Sequence, residues 1–217
     1  MVRPLILAHR GHRPAGPENS LRSVFAAFEV ADGAEVDVLV TADGLPVLRH
    51  DERLADGTPI RCLSLSEARR ILRADADDLP LVADAFRRLE GVRGTLDVEL
   101  KVPGAVRAIR AAGSVPACVV FSSFLASEVI EALGLFPDRA AGLLVADEVP
   151  HSIPVGTSFL AVEHRLLPAV REAFPAATLW AWTVNDEAAA ARAREAVCAA
   201  WITDDAVAWR REGFGRG

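Results

Sequence analysis

Apolar residues along this chain fall into short runs that read as strands, separated by stretches where they recur at helical spacing. Leu5–His9 is predicted as the first strand. A helix follows that Asn19 or Ser20 can cap, running to Asp32 with Val24, Phe25, Phe28 and Ala31 on one face. Glu35–Thr41 is the second strand, Asp43-Gly44 a turn, and Pro46–Arg49 a short extended piece. Ser64 or Ser66 opens a helix over Glu67–Arg73, and Val82–Leu89 is also helical. Thr95–Lys101 is the third strand, Gly104–Ala112 a helix, Ala117–Ser122 the fourth strand, and Ser127–Leu135 a helix capped by its serine. Ala140–Val145 and Phe159–Val162 make the fifth and sixth strands. Between them V-P-H-S-I-P-V-G-T carries two prolines and no helical period, so one helix is missing or vestigial. Pro168–Ala177 is helical, Thr178–Thr183 the seventh strand, Asp186–Ala196 an alanine-rich helix, Ala199–Thr203 the eighth strand, and Ala206–Glu212 a closing helix.

Eight strands alternating with helices predict a parallel α/β architecture, and eight closes a (β/α)8 TIM barrel. At 217 residues with no internal linker, the chain reads as a single domain over 1–217. A doubly wound open sheet is the alternative fold, but no G-x-G-x-x-G follows the first strand. The hydrophobic content of 51% and mean hydropathy of +0.23 fit strands buried on both faces.

The net charge of −6, without a basic stripe, argues against nucleic acid as a partner. No apolar run approaches the roughly 20 residues that span a bilayer, and the opening M-V-R-P-L-I-L-A-H-R is too short an apolar run for a signal peptide. A cytoplasmic protein without stable membrane insertion is expected. Cys62, Cys118 and Cys198 fit neither a disulfide framework nor a zinc motif, and are expected to be buried small hydrophobes.

Charge enters through the strands. In the second strand Ala34, Val36 and Val38 share one face, and Glu35 and Asp37 the other. In the third, Leu96, Val98 and Leu100 oppose Asp97, Glu99 and Lys101. The apolar sides must meet the helix layer, which points the charges into the barrel near its C-terminal strand ends, where His9, Arg10 and Gly11 follow the first strand. A layer of ion pairs in which Lys101 neutralises one carboxylate would leave the others unmatched, and buried pairs rarely gain net stability. Converging carboxylates instead suit a hard cation, Mg²⁺ or Ca²⁺. His50-Asp51 lies a short loop from these acids. Two histidines beside a cation suit proton transfer, and Arg10 or Lys101 suits holding an anion, which together point to phosphodiester cleavage. His12 and His151 read as surface loop residues, and Glu163-His164 as a supporting or structural pair.

H-R-G (His9–Gly11), P-E-N-S (Pro17–Ser20) and E-V-D-V…T-A-D-G-L-P-V-L-R-H-D resemble the glycerophosphodiester phosphodiesterase family. The match continues through V-E-L-K (Val98–Lys101), F-S-S-F (Phe121–Phe124), W-T-V-N (Trp182–Asn185) and I-T-D (Ile202–Asp204), in the family's order over nearly the whole chain. The resemblance implies a (β/α)8 barrel hydrolysing glycerophosphodiesters to sn-glycerol 3-phosphate and an alcohol. It implies Glu35, Asp37 and Glu99 as metal ligands, and His9 and His50 as general acid and base in unassigned order. It implies Arg10 and Lys101 on the phosphate, and Trp182 as an aromatic wall beside the substrate, where barrel packing is the alternative role. One route open to that family has the substrate's own glycerol hydroxyl attack phosphorus, giving a cyclic phosphate that water opens.

The chain departs from the family pattern in places. Glu52–Gly94 must hold two helices, so the insertion that often follows the H-D motif is reduced. Val30 stands where a glycine is usual, and Ala206 where a proline is usual, both in turns. Two other functions remain open on the sequence: phospholipase D-like hydrolysis of lysophospholipids, with Phe124 and the V-P-H-S-I-P-V-G segment as a small apolar rim, and a catalytically inactive phosphate-binding barrel.

Overall fold

A computed structural model of the chain describes residues 3–75 and 77–211. Nine strands carry the fold: β1 (Leu5–Ala8), β2 (Gly33–Val40), β3 (Pro46–Leu48), β4 (Thr95–Leu100), β5 (Val119–Ser123), β6 (Ala141–Val145), β7 (Phe159–Glu163), β8 (Leu179–Trp182) and β9 (Ala200–Thr203). Eight of them, β1-β2-β4-β5-β6-β7-β8-β9, run parallel, and β1 pairs with both β2 and β9 to close the ring. The result is a (β/α)8 barrel. β3 is antiparallel to β2, pairing Leu48 with Val38, and carries the chain from the end of β2 back alongside it. That explains the extra extended piece in the sequence pattern.

The helices are α1 (Leu21–Val30), α2 (Leu65–Leu72), α3 (Val82–Leu89), α4 (Ala105–Ala112), α5 (Ala126–Leu135), α6 (Leu167–Ala173), α7 (Glu187–Glu195) and α8 (Ala206–Arg211). Ser20 caps α1, its side chain accepting from the Ser23 N–H, and Ser64 forms a capping box with Glu67 on α2. The expected cap of α5 is different: the helix starts at Ala126, so Ser127 lies inside its first turn, and Leu125 holds the capping position without a side-chain bond. No helix fills 146–158, as the prolines imply. The expected end of the closing helix, Glu212, lies outside the described residues. Among the described residues no helix is long and apolar enough to cross a membrane.

Strand alternation splits the side chains as the pattern requires. Ala34, Val36, Val38, Leu96, Val98 and Leu100 bury outward against the helices in the large core. Inside the ring a second, smaller cluster joins Leu7, Leu144, Phe159, Ala161, Trp180 and Ile202, with the Phe159 and Trp180 rings stacked at 3.9 Å. The interior is therefore two-sided, apolar along β6–β9 and acidic along β2 and β4. Gly33 begins β2 at φ 153°, where a Cβ would sit 1.8 Å from the Thr95 carbonyl oxygen, so only glycine lets β2 pair this closely with β4. Cys118 and Cys198 are buried, but Cys62 is exposed, because the short 3-10 turn Ile60–Cys62 buries Ile60 and turns its last residue outward.

Candidate active site

The polar side of the barrel interior opens at the C-terminal strand ends into a cavity of about 220 Å³. Its polar wall includes His9, Arg10, Glu35, His50, Glu99 and Lys101, with Asp97 and Ser122 below them. Trp182, Phe124, Leu144 and Ile202 form the opposite, apolar wall. Asp37 is buried just behind this lining, and its carboxylate belongs to the same cluster. The residues given site roles in the sequence, His9, Arg10, Glu35, Asp37, His50, Glu99, Lys101 and Trp182, thus meet in one place.

The register explains why. β2 and β4 align Glu35 with Asp97 and Asp37 with Glu99, stacking two rows of acids on neighbouring strands. Glu35, Asp37 and Glu99 each offer an oxygen within 4.8 Å of the others. An all-oxygen anionic set fits a hard divalent cation, and the buried Glu35 Oε1 meets no hydrogen-bond donor among the described residues. Burial pushes the Glu35 carboxyl well above its ordinary range, and Asp37, Glu99 and Asp97 push it further. Glu99 is raised by burial and then by Asp37. Asp97, fully buried and without a donor in hydrogen-bonding geometry, is pushed up to about 7, chiefly by burial, while Ser122 draws it down.

Cations already work on the cluster. Lys101 Nζ lies 3.2 Å from Asp37 Oδ1 and 3.3 Å from Glu99 Oε1. Burial lowers the pKa of its ammonium, but Glu99 and Asp37 more than offset that, and it is raised. Lys101 therefore bridges two carboxylates, more than the single one it would neutralise in the ion-pair layer that the sequence argues against. Arg10 adopts a left-handed φ of 56°, which turns its backbone N–H onto Glu35 Oε2 at 3.0 Å. Its guanidinium reaches Asp37 at 3.4 Å and Glu18 at 3.2 Å. Gly11 permits this turn, since a Cβ there would meet Ser23 at 2.7 Å.

Each histidine is held by its own aspartate. His9 Nδ1 lies 2.7 Å from Asp204 Oδ1, leaving Nε2 4.0 Å from Glu35 Oε2. His50 Nδ1 lies 2.9 Å from Asp51 Oδ1. Both aspartates sit below the ordinary carboxylate range, Asp204 chiefly through its bond to His9 and Asp51 chiefly through its bond to His50. Trp182 both lines the cavity and ties its indole N–H to the Ala161 carbonyl at 2.9 Å, while Phe124 meets it edge-on at 5.8 Å.

Several residues here were not assigned from the sequence. Asn19, expected as a possible cap, instead donates to Asp37 Oδ2 at 2.9 Å and accepts from the Asp37 N–H at 2.9 Å. Asp97 shares the alternating face of Glu99, so its pattern was visible while its depth was not. Asp204 and Asn185 belong to the I-T-D and W-T-V-N motifs; Asp204 meets His9 only through barrel closure, and Asn185 bonds Asp204 in turn. Of the other histidines, His151 is exposed, and His164 Nδ1 lies 3.1 Å from Arg192 away from the cavity lining. The exposed Val155 does not rim the site: the chain around it leads to Ser158, which pairs with Ala141 at the opposite, strand-start end.

A family model for the glycerophosphoryl diester phosphodiesterase family matches residues 9–125. Glycerophosphodiester phosphodiesterase 1 of Bos taurus is 43% identical over 70 residues, covering 30% of this chain and 21% of that protein. A probable glycerophosphodiester phosphodiesterase 1 of Mycobacterium tuberculosis is 48% identical over 52 residues, covering 24% of this chain and 19% of that protein. The matched stretch thus spans about a fifth of each of these curated relatives. Among solved structures, a glycerophosphodiester phosphodiesterase of Thermotoga maritima superposes with a TM-score of 0.79 at 22% identity, over 98% of this chain and 100% of that one. An Oleispira antarctica phosphodiesterase in complex with the product sn-glycerol-3-phosphate superposes with a TM-score of 0.72 at 24% identity, over 97% of each chain.

Proposed function

The chain belongs to the glycerophosphoryl diester phosphodiesterase family, and from that premise we propose that it hydrolyses glycerophosphodiesters to sn-glycerol 3-phosphate and an alcohol. The observation that carries this reading is the cluster of Glu35, Asp37 and Glu99, oxygens within 4.8 Å, set between two histidines that each have an aspartate on Nδ1. The product bound to the Oleispira antarctica phosphodiesterase is the product proposed here.

Glu35, Asp37 and Glu99 would hold Mg²⁺ or Ca²⁺, which supplies positive charge against the phosphate oxygens as negative charge develops on them. Arg10 and Lys101 face the same anion and orient the diester. Trp182 and Phe124 cover the side of the substrate away from the charges. Of His9 and His50, one takes a proton from the attacking hydroxyl and the other returns one to the departing alcohol oxygen. The attacking hydroxyl is either the substrate's own, by way of a cyclic phosphate, or that of water. The reading keeps the single domain over 1–217, the small-molecule substrate and the cytoplasmic setting expected from the sequence.

A lysophospholipid is the second reading. It is favoured by Phe124, 47% exposed at the mouth of the apolar wall, where an acyl chain could leave the site. One assay separates the two. Glycerophosphocholine and a lysophosphatidylcholine are incubated with Mg²⁺ or Ca²⁺, with and without EDTA, and glycerol 3-phosphate and choline are measured. Glycerol 3-phosphate released from glycerophosphocholine and abolished by EDTA supports the main reading. Choline released only from the lysolipid supports the second, and turnover unchanged in EDTA removes the cation from both.

A further inference from the structure

The acids and histidines leave one network unused, at the seam where β9 meets β1. The His9 N–H bonds the Thr203 carbonyl at 2.8 Å, fixing the strand end that carries the imidazole. Asp204, the next residue, reaches His9 Nδ1 with Oδ1 at 2.7 Å. Its other oxygen accepts from Asn185 Nδ2 at 2.7 Å. Asn185 Oδ1 in turn accepts the Asp204 N–H at 2.9 Å and the Thr203 hydroxyl at 3.3 Å. Asn185 therefore grips Asp204 by both its carboxylate and its backbone, and Arg13 adds an ion pair to Oδ1. The clasp joins His9 and Arg13, near the start of the chain, to Asn185 and to Asp204, which lies 195 residues from His9 at the other side of the ring closure.

The partner of His50 is built differently. Asp51 is the adjacent residue, its side chain 66% exposed, and its fixing contacts come from His50 and Arg49. The two histidines are thus held with unequal rigidity, although each has a carboxylate on Nδ1.

We propose that Asp204, clasped by Asn185, is a positioning residue that keeps the proton of neutral His9 on Nδ1 and turns the Nε2 lone pair toward Glu35, making His9 the proton acceptor of the reaction. A carboxylate offers no proton of its own at Nδ1, so a neutral imidazole bonded to it donates from that nitrogen. Nε2 is then the only ring nitrogen able to take a proton, and it faces the acid cluster. His50 is left to protonate the departing oxygen. The choice of acceptor rests on the phosphodiesterase reading, whereas the tautomer does not.

The test has two arms. In the first, ¹⁵N NMR of the histidine-labelled protein reads the His9 tautomer directly. The native protein is expected to show Nδ1–H above the titration range, Asp204→Asn to shift toward Nε2–H, and Asn185→Ala to shift partly the same way. In the second, kcat and KM are measured on glycerophosphodiesters with a choline or a p-nitrophenol leaving group. Asp204→Asn should lower kcat by about 10²–10⁴-fold on both, with KM within about threefold, and Asp204→Glu should recover part of it. His50→Ala should hurt the choline diester far more than the p-nitrophenyl one, which needs no proton to leave. An unchanged His9 tautomer in both Asp204→Asn and Asn185→Ala overturns the positioning role. A loss in Asp204→Asn confined to KM, or to the choline diester, overturns His9 as acceptor. If the native protein cleaves neither diester, the phosphodiesterase reading fails and takes the acceptor assignment with it, while the tautomer measurement still decides the role of Asp204.

Discussion

Asn19 holds Asp37 from both sides, donating its amide to Oδ2 and accepting the Asp37 backbone N–H, each at 2.9 Å. The geometry depends on a left-handed φ of 59° at Asn19, a conformation that asparagine tolerates better than most residues. With Arg10 also on Oδ2 and Lys101 on Oδ1, the carboxylate is presented in one orientation before any cation arrives. Outer partners of this kind contribute substantially to metal affinity. Asn19→Ala should therefore weaken Mg²⁺ binding by about 10–100-fold, measured by calorimetry, while circular dichroism stays native. Affinity within twofold of native would mean Asp37 needs no such support.

If both histidines transfer protons, His9→Ala and His50→Ala should each lower kcat on glycerophosphocholine by about 10²–10⁴-fold. Neither is a metal ligand in this reading, so Mg²⁺ affinity should change little in both. Near-normal turnover in either variant would take that residue out of the chemistry.

The parts of this site readable from sequence are those set by local periodicity. T-L-D-V-E-L-K alternates, so the placement of Glu99 and Lys101 on the barrel's inner face follows from backbone geometry alone. The same holds for Glu35 and Asp37 on β2, and for the prolines that leave 146–158 without a helix. What escaped depends on closure. Asp204 and His9 are 195 residues apart and meet only because β9 pairs with β1. Asn19 read as a helix cap, but Ser20 takes that role, and the partner of the Asn19 amide, Asp37, lies 18 residues on in another strand. Ser127 looked like a cap because the start of α5 was placed one residue late. Cys62 looked buried because composition cannot see which way a short turn faces.

The acidic floor gives the metal-free protein a distinctive pH dependence. Glu35, Asp97 and Glu99 all have folded pKa values above their ordinary ones, Asp97 rising from 3.8 to about 7. A folded state that holds protons more tightly than the unfolded chain is favoured below the ordinary carboxylate range. That advantage is lost as pH rises through the folded values. Below about pH 4 the opposite sign takes over, because Asp204 and Asp51 are lowered and lose their bonds on protonation. In EDTA, unfolding free energy should therefore peak near about pH 4 and fall toward pH 8. Asp97→Asn should flatten that fall and raise stability at pH 8 by about 1–3 kcal/mol. Urea melts across pH check this, and a variant less stable than native at pH 8 would show Asp97 to be satisfied in a way its geometry does not suggest.

Lys101 presents the strongest case for charge balance as the reason a residue is present. Its ammonium spans Asp37 and Glu99, the two carboxylates that face each other across the β2–β4 pair. Its side chain is only 14% exposed, so removing the charge leaves two buried acids facing each other with less compensation. Lys101→Met keeps most of the stem volume and deletes only that charge. Without metal at pH 7.5 the variant should lose about 2–4 kcal/mol of stability, tempered by proton uptake on Glu99. The raised pKa of Lys101 means that its own contribution is fully present at this pH and is lost only in strong base. Saturating Mg²⁺ should narrow the gap between variant and native, since a bound dication also offsets the acids. On glycerophosphocholine the loss of a phosphate contact should raise KM by about tenfold. Denaturant melts with and without Mg²⁺, run beside steady-state kinetics, separate the two roles. A variant as stable as native in EDTA but with raised KM would make Lys101 a phosphate ligand alone, and the reverse pattern would make it a counter-ion alone.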